Sequence, residues 1–381
     1  MKIVIAPDSF KESLTALQVA EAIEMGIRDI FPEAEYCCVP MADGGEGTVQ
    51  SLVDATGGKI IHCEVTAPLG DRTMAFWGLS GDRETAIIEM ASASGLPLVP
   101  LEQRNPLMTT SFGTGELIKN ALDYGVRKII LGLGGSATND GGVGMLQALG
   151  IKFLDNRGVA LPLGGAALLN LATIDFTDLD PRLDKIEIEV ACDVDNPLCG
   201  ENGASAIFGP QKGATPSMVK TLDKALAHFA DVIQQTLGRD IKQVAGSGAA
   251  GGMGGGLLLL PHVMMHRGID IVLSFTELEH KIKDADWVIT GEGRMDGQSI
   301  FGKTPMGVAK IAKYYDKPVI AIVGSLGHGY QAIHEYGIDA VFPIIANTNG
   351  LADALQHARD NVFRTAKNIA TVIKVANFNL Q

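Results

Sequence analysis

The sequence predicts an α/β protein of two domains. One is a discontinuous, Rossmann-like parallel sheet. The other is an inserted mixed α/β domain, and the active site is expected in the cleft. Three observations predict this. At both ends of the chain, short apolar runs stop at loops rich in Gly, Asp and Ser, and helical patterns follow. After about residue 60 the texture changes to strand-like runs with no helix between them. A length of 381 residues fits about two domains. The two ends together supply about five βα units, close to one doubly wound sheet. The expected boundaries are 1–60 with 280–381 for the Rossmann-like domain and 61–279 for the inserted one.

The elements follow in order. Lys2–Ala6 reads as a buried parallel strand ending in Pro7-Asp8-Ser9. Ala16, Val19, Ala20, Ile23 and Ile27 keep helical spacing, Thr15 and Gln18 suit a capping box, and Pro32 ends the helix. A second run, Tyr36–Pro40, leads to a glycine-rich turn and a helix over Val49–Ala55. Strands are expected at Ile60–Thr66, Thr73–Leu79, Thr85–Met90, Lys128–Leu131 and Ile186–Ala191. Helices are expected at Leu117–Tyr124 and Met218–Leu237, with a glycine-dense loop at Gly246–Gly256. The βα rhythm returns with strands Trp287–Thr290, Pro318–Val323 and Ala340–Ile345 and a last helix over Ala352–Val375. A helix with Pro305 at its first turn begins near Thr304. Ligands of such sheets bind past the carboxyl ends of the strands, where Asp8, Asp43, Glu292 and Asn347 fall.

Composition narrows the function. A net charge of −13 without a Lys/Arg block argues against nucleic acid as a partner. It leaves anionic small substrates open, because local cations and Mg²⁺ reverse the sign inside a site. The five cysteines show no zinc spacing and read as reduced thiols. The chain opens on a strand rather than a leader, and Leu257–Leu260 stops at Pro261, too short to span a bilayer. The expectation is a cytoplasmic protein with no membrane partner. Its oligomeric state is not readable.

The stretch Leu131–Gly144, LGLGGSATNDGGVG, follows an apolar run and precedes a helical one. Its glycines let backbone N–H groups approach an anion, and it reads as a phosphate cradle or as a bare strand-to-helix turn. Gly297–Thr304 satisfies the Walker A formula, but the preceding strand ends too early and Pro305 follows, so Lys303 and Thr304 are expected only to hold an anion at a helix start. Gly246–Gly251 matches the dinucleotide fingerprint without a convincing strand before it. Gly291–Ser299 packs Glu292, Arg294 and Asp296 among glycines just past a strand. Asp43-Gly44-Gly45-Glu46 repeats that theme, and Asp193 and Asp195 form an alternating pair that reads as metal or turn chemistry. No His–carboxylate–Ser set emerges. Glycine loops, cations and hard carboxylates share one use, phosphoryl transfer, which needs positioning, Mg²⁺ and a carboxylate to take the hydroxyl proton.

Taken together, six segments resemble the type I glycerate kinase family. They are Ala6–Lys11, Ala42–Thr48, Gly134–Gly142, Cys192–Leu198, Gly248–Gly252 and Thr290–Arg294 through Gly302–Pro305, in the family's order. The resemblance implies ATP-dependent phosphorylation of D-glycerate, with 2-phosphoglycerate favoured. On that footing Asp193 is the expected proton acceptor, with Asp43 the second candidate and Lys11 beside the chemistry. Asp8, Ser9, Arg294 and Lys303 are expected to hold substrate. Gly134, Gly135, Ser136, Thr138, Asn139, Asp140, Gly251, Gly252 and Gly291 are expected around the nucleotide. Asp195, Glu292 and Asp296 are expected at Mg²⁺ or its waters. Two other readings stay open. One is an NAD(P)-dependent hydroxy-acid oxidoreductase using Gly246–Gly251, which requires a strand before Gly246 and nicotinamide binding. The other is a non-catalytic sugar-acid sensor. The domain reading would set Ser136–Asp140 opposite Asp8, Asp43 and Glu292.

Overall fold

The computed structural model describes residues 1–300, 302–345 and 350–378; Asn347 and its neighbours lie outside that set. The chain forms two compact units. One comprises Met1–Asp43, Gln50–Gly57 and the chain from Ile269 onward; the other comprises Gly44–Val49 and Gly58–Gly268.

The first unit carries a five-stranded sheet in the order Ala340–Pro343, Val319–Val323, Trp287–Gly291, Lys2–Pro7, Glu35–Cys38. All its pairs are parallel, with Ile3 opposite Trp287, Val4 opposite Cys37 and Ile320 opposite Ala340. The β-branched Ile3, Ile5, Ile289 and Ile322 pack with Val19, Ile23, Val362 and Ala366 of the flanking helices Ala16–Arg28 and Ala358–Phe378. The expected capping box is present: Thr15 accepts from the Gln18 amide, and Gln18 accepts from the Thr15 amide.

The second unit carries a six-stranded mixed sheet in the order Val263–His266, Glu187–Ala191, Lys128–Gly132, Thr85–Glu89, Arg72–Leu79, Lys59–Thr66. The first four strands are parallel and the last two antiparallel. Its core gathers Trp77, Ile88, Leu117, Leu131, Leu146, Phe153, Ile188 and Phe229. Trp77 buries completely because its indole N–H finds Asn120 Oδ1 at 2.9 Å.

Several elements depart from the sequence expectations. The helix expected from Leu117 begins at Phe112, because the glycines of its first turn are buried and its packing outweighs their low propensity. Gly246–Gly256 is not a loop throughout: Ala249–Leu257 is a kinked helix in which every residue is buried. Val263–His266 is an unforeseen strand at the sheet edge. The last helix is two, Leu351–Gln356 and Ala358–Phe378.

Candidate active site

In the second unit the carboxyl ends of the parallel strands open onto a cavity of about 240 Å³. Leu133–Ser136 follows one strand, Cys192–Val194 follows its neighbour, and Gly44, Gly45, Phe208, Gln211, Ala249 and Ala250 complete the lining. Pockets for drug-sized ligands run about 300–1,000 Å³, so this one suits a phosphate chain or a three-carbon acid rather than a whole nucleotide. Ala250 is held in the left-handed region (φ 51°) ahead of Gly251 and Gly252 (φ 68° and 91°). A non-glycine residue in that region stores strain, and strain concentrates at ligand sites. Asp193 stands at the rim, with Oδ1 accepting the Gly268 N–H at 2.9 Å.

Behind this wall the loop is tied inward. Asp140 is buried, and its carboxylate accepts from Ser111 N (2.8 Å), Ser111 Oγ (2.7 Å), Gly142 N (3.2 Å) and Gly144 N (3.3 Å). Desolvation raises its pKa, and those donors pull it back down. Asn139 Nδ2 donates to Ser205 Oγ at 3.0 Å. Gly251 packs its Cα against Thr138–Asn139, where a Cβ would stand 2.0 Å from the Thr138 carbonyl oxygen. Thus Gly134, Gly135 and Ser136 face the cavity, while Thr138, Asn139, Asp140, Gly251 and Gly252 shape it from behind. The sequence reading had all of them around the nucleotide. A short polar side chain on a glycine loop can equally well satisfy nearby backbone, as Asp140 does with the Gly142 and Gly144 amides. Asp195 lies past the end of its strand and does not line the cavity.

Two residues escaped the sequence reading. Glu89 accepts the Val49 N–H at 2.9 Å, and desolvation raises its pKa while amides of Gly47–Val49 lower it. Lys212, in the turn Pro210–Lys212, is 1% exposed. Its Nζ donates to Ser136 Oγ at 2.7 Å and to the Thr138 carbonyl at 2.6 Å. Burial draws its pKa down to about 7 against the pull of Asp140. A lysine in a polar turn gives no sequence signal for such a position.

In the first unit the strand ends gather acid groups. Asp8 Oδ1 accepts the Ser9 N–H at 2.6 Å, and Oδ2 accepts the Thr304 hydroxyl at 2.8 Å. Glu292 is buried and accepts from Lys303 Nζ at 3.0 Å and from the Ser299 hydroxyl. Lys303 is the N-cap residue of helix Thr304–Tyr314. Desolvation raises the Glu292 pKa, and Ser299 and Lys303 oppose that. Arg294 is exposed, 3.5 Å from Asp296, whose Oδ1 accepts the Gln298 N–H. Lys11 is exposed on the loop after the first strand. Gly291 is buried in its strand, and a Cβ there would stand 1.9 Å from the Ile322 carbonyl oxygen, so close strand approach accounts for it. Among the described residues no group of three or more His, Cys, Asp or Glu could hold a metal ion.

Burial, the Asp43 charge and the Glu292 charge together push Asp8 up to about 6, against its bonds to Thr304 and Ser9. Its folded value stands above the unfolded one, so the folded state binds the extra proton. The ionised carboxylate therefore costs stability, a cost that sets in as pH rises through about 4 to 6 and is complete above. Asp8→Asn should be more stable than the native protein at pH 8 by about 1–3 kcal/mol, with the difference vanishing near pH 4. Urea unfolding at the two pH values checks this, and an equal difference at both contradicts it.

Residues 3–374 match the model of the glycerate kinase family. The chain belongs to the glycerate kinase family. Among glycerate kinases it is 65% identical over 373 residues to one from Haemophilus influenzae, covering 98% of this chain and 99% of that protein. It is 55% identical over 379 residues to the glycerate 2-kinase of Escherichia coli K12, covering both chains in full. A crystal structure of a Salmonella typhimurium LT2 protein, provisionally described as glycerate kinase 2, superposes with a TM-score of 0.92 at 57% identity over 99% of each chain. The oxidoreductase reading lacks one of its two requirements, since no strand lies between Gly238 and Gly248, and the family match points to a kinase instead.

Proposed function

We propose that the chain transfers the γ-phosphoryl group of ATP to D-glycerate, with the 2-hydroxyl as the favoured acceptor. As a member of the glycerate kinase family it is a phosphotransferase, and the end-to-end family match carries this reading. The preference for 2-phosphoglycerate leans on the E. coli relative.

On this reading the Gly134–Ser136 wall receives phosphate oxygens, and Asp193 at its rim accepts the proton of the attacking hydroxyl, with Asp43 as the second candidate. Lys11, Arg294 and Lys303 supply positive charge for the glycerate carboxylate or the phosphates, and Asp8 and Ser9 bind substrate hydroxyls. Thr138, Asn139, Asp140, Gly251 and Gly252 hold the wall in shape. Mg²⁺ usually keeps several waters and takes one or two carboxylates plus phosphates, so Asp195, Glu292 and Asp296 are assigned to it or its waters rather than to a dedicated cage, with Glu292 also held by Lys303 and Ser299. It would neutralise charge on the transferring phosphoryl group. The proposal includes domains at 1–60 with 280–381 and at 61–279, and a cytoplasmic setting, with which five unbridged cysteines agree. Among the described residues no helix is long and apolar enough to cross a membrane.

The test is ADP release measured with D-glycerate, L-glycerate and related hydroxy acids, followed by NMR of the product. D-Glycerate should give the highest kcat/KM and a phosphate on carbon 2. ADP release independent of every hydroxy acid would refute the proposal, and a phosphate on carbon 3 would overturn its regiochemistry.

A further inference from the structure

We propose that Lys212 is a positioning residue that commits the Ser136 hydroxyl to donate its hydrogen to a phosphate oxygen in the glycine-lined cavity. The inference rests on the reading of that cavity as a phosphate site. An ammonium group has three donors and no acceptor. With Lys212 protonated, Ser136 Oγ at 2.7 Å from Nζ accepts, and its own hydrogen turns elsewhere. Among the described residues Ser136 makes no other side-chain hydrogen bond. Ser136 is one of the residues lining the cavity, whereas Lys212 is not. The hydroxyl hydrogen then faces the space where a ligand would sit.

The second bond, from Nζ to the Thr138 carbonyl at 2.6 Å, pins the same loop two residues on. Ser136 and Thr138 flank Ala137, whose carbonyl accepts the Thr109 hydroxyl at 2.9 Å. The loop is thus held from both sides, which leaves the Ser136 hydroxyl hydrogen free to turn toward a ligand. Burying an ammonium for packing alone is costly, and an apolar side chain of the same length would fill the space more cheaply. What lysine supplies and an apolar residue cannot is a fixed donor to Ser136 and Thr138.

The test compares Lys212→Met, Ser136→Ala and the double variant with the native enzyme, by calorimetric titration with ADP and by steady-state kinetics in both substrates. Each single variant should weaken ADP binding and raise the KM for ATP by about 10- to 100-fold, the range for a charge-assisted hydrogen bond. The KM for D-glycerate should rise several-fold less than that for ATP, because the proposed function assigns the acid to Lys11, Arg294, Asp8 and Ser9 rather than to Ser136. The double variant should be no weaker than Lys212→Met alone, since both remove the same donor. Unchanged ADP affinity in a folded Lys212→Met enzyme overturns the proposal, as does additivity of the two changes or an equal rise in both KM values. Should Lys212→Met not fold, Lys212→Arg replaces it: arginine keeps the donors, so affinity near native supports the proposal and a loss equal to that of Ser136→Ala overturns it. If the native protein binds ADP and turns over D-glycerate while these variants behave as native, the Lys212 assignment alone fails. If the native protein shows no turnover, the functional reading fails and takes this inference with it.

Discussion

Replacing Asp193 by Asn should lower kcat by about 10²–10⁴-fold, the usual contribution of a positioned general base. The fold should survive the change. Asp193 lies beyond the end of strand Glu187–Ala191 rather than in the core, and an asparagine Oδ1 can still accept the Gly268 N–H now taken at 2.9 Å. The amide cannot take up the hydroxyl proton of the substrate. ADP affinity and the thermal midpoint should therefore stay close to native while single-turnover phosphoryl transfer collapses. Near-native kcat in Asp193→Asn would remove it from the base role and pass the assignment to Asp43, for which Asp43→Asn is the matching measurement.

Replacing Gly251 by Ala should cost about 3 kcal/mol or more of stability and abolish ligand binding at the cavity, among the largest single-residue effects expected in this chain. Two penalties combine. The residue sits at φ 68°, where a side chain costs roughly 1–2 kcal/mol. The added Cβ would also meet the Thr138 carbonyl oxygen at 2.0 Å and the Asn139 Cα at 2.6 Å. Both obstacles are backbone, so no rotamer change relieves them. The Thr138 carbonyl is also the acceptor for Lys212, and moving it would disturb the cavity wall. Denaturant unfolding and ADP titration together check the prediction, and a variant with native midpoint and affinity would refute it.

Much of this molecule was legible before any coordinates. Apolar runs ending in glycine and acid loops gave the parallel strands, because a strand buried on both faces has few polar positions to spare. Thr15 and Gln18 marked a helix start because the capping box leaves little choice of residue. Gly134–Ser136 was read as a cradle, and it lines a cavity. What could not be read was direction. Asp140 and Asp193 are both aspartates on loops just past strands, yet one is sealed in by Ser111 from 29 residues upstream and the other stands at the rim. Only the fold brings Ser111 there. Lys212 was hidden for the same reason: its acceptors lie 76 and 74 residues away in sequence. The helix Ala249–Leu257 was hidden by its glycines, whose poor intrinsic propensity is overcome by complete burial.

The order of strands in the first unit also governs how the protein is made. Lys2–Pro7 is made before both its neighbours, Glu35–Cys38 and Trp287–Gly291, and one of its edges waits for a partner 284 residues downstream. At about 5–20 residues per second, that edge stays uncovered for roughly 15–60 s of synthesis. All six strands of the second unit's main sheet lie between the two, so that unit can complete its sheet while the first remains half built. The nascent chain therefore spends most of its translation with an apolar strand edge exposed, and the emergence of Trp287–Gly291 is the event that closes it.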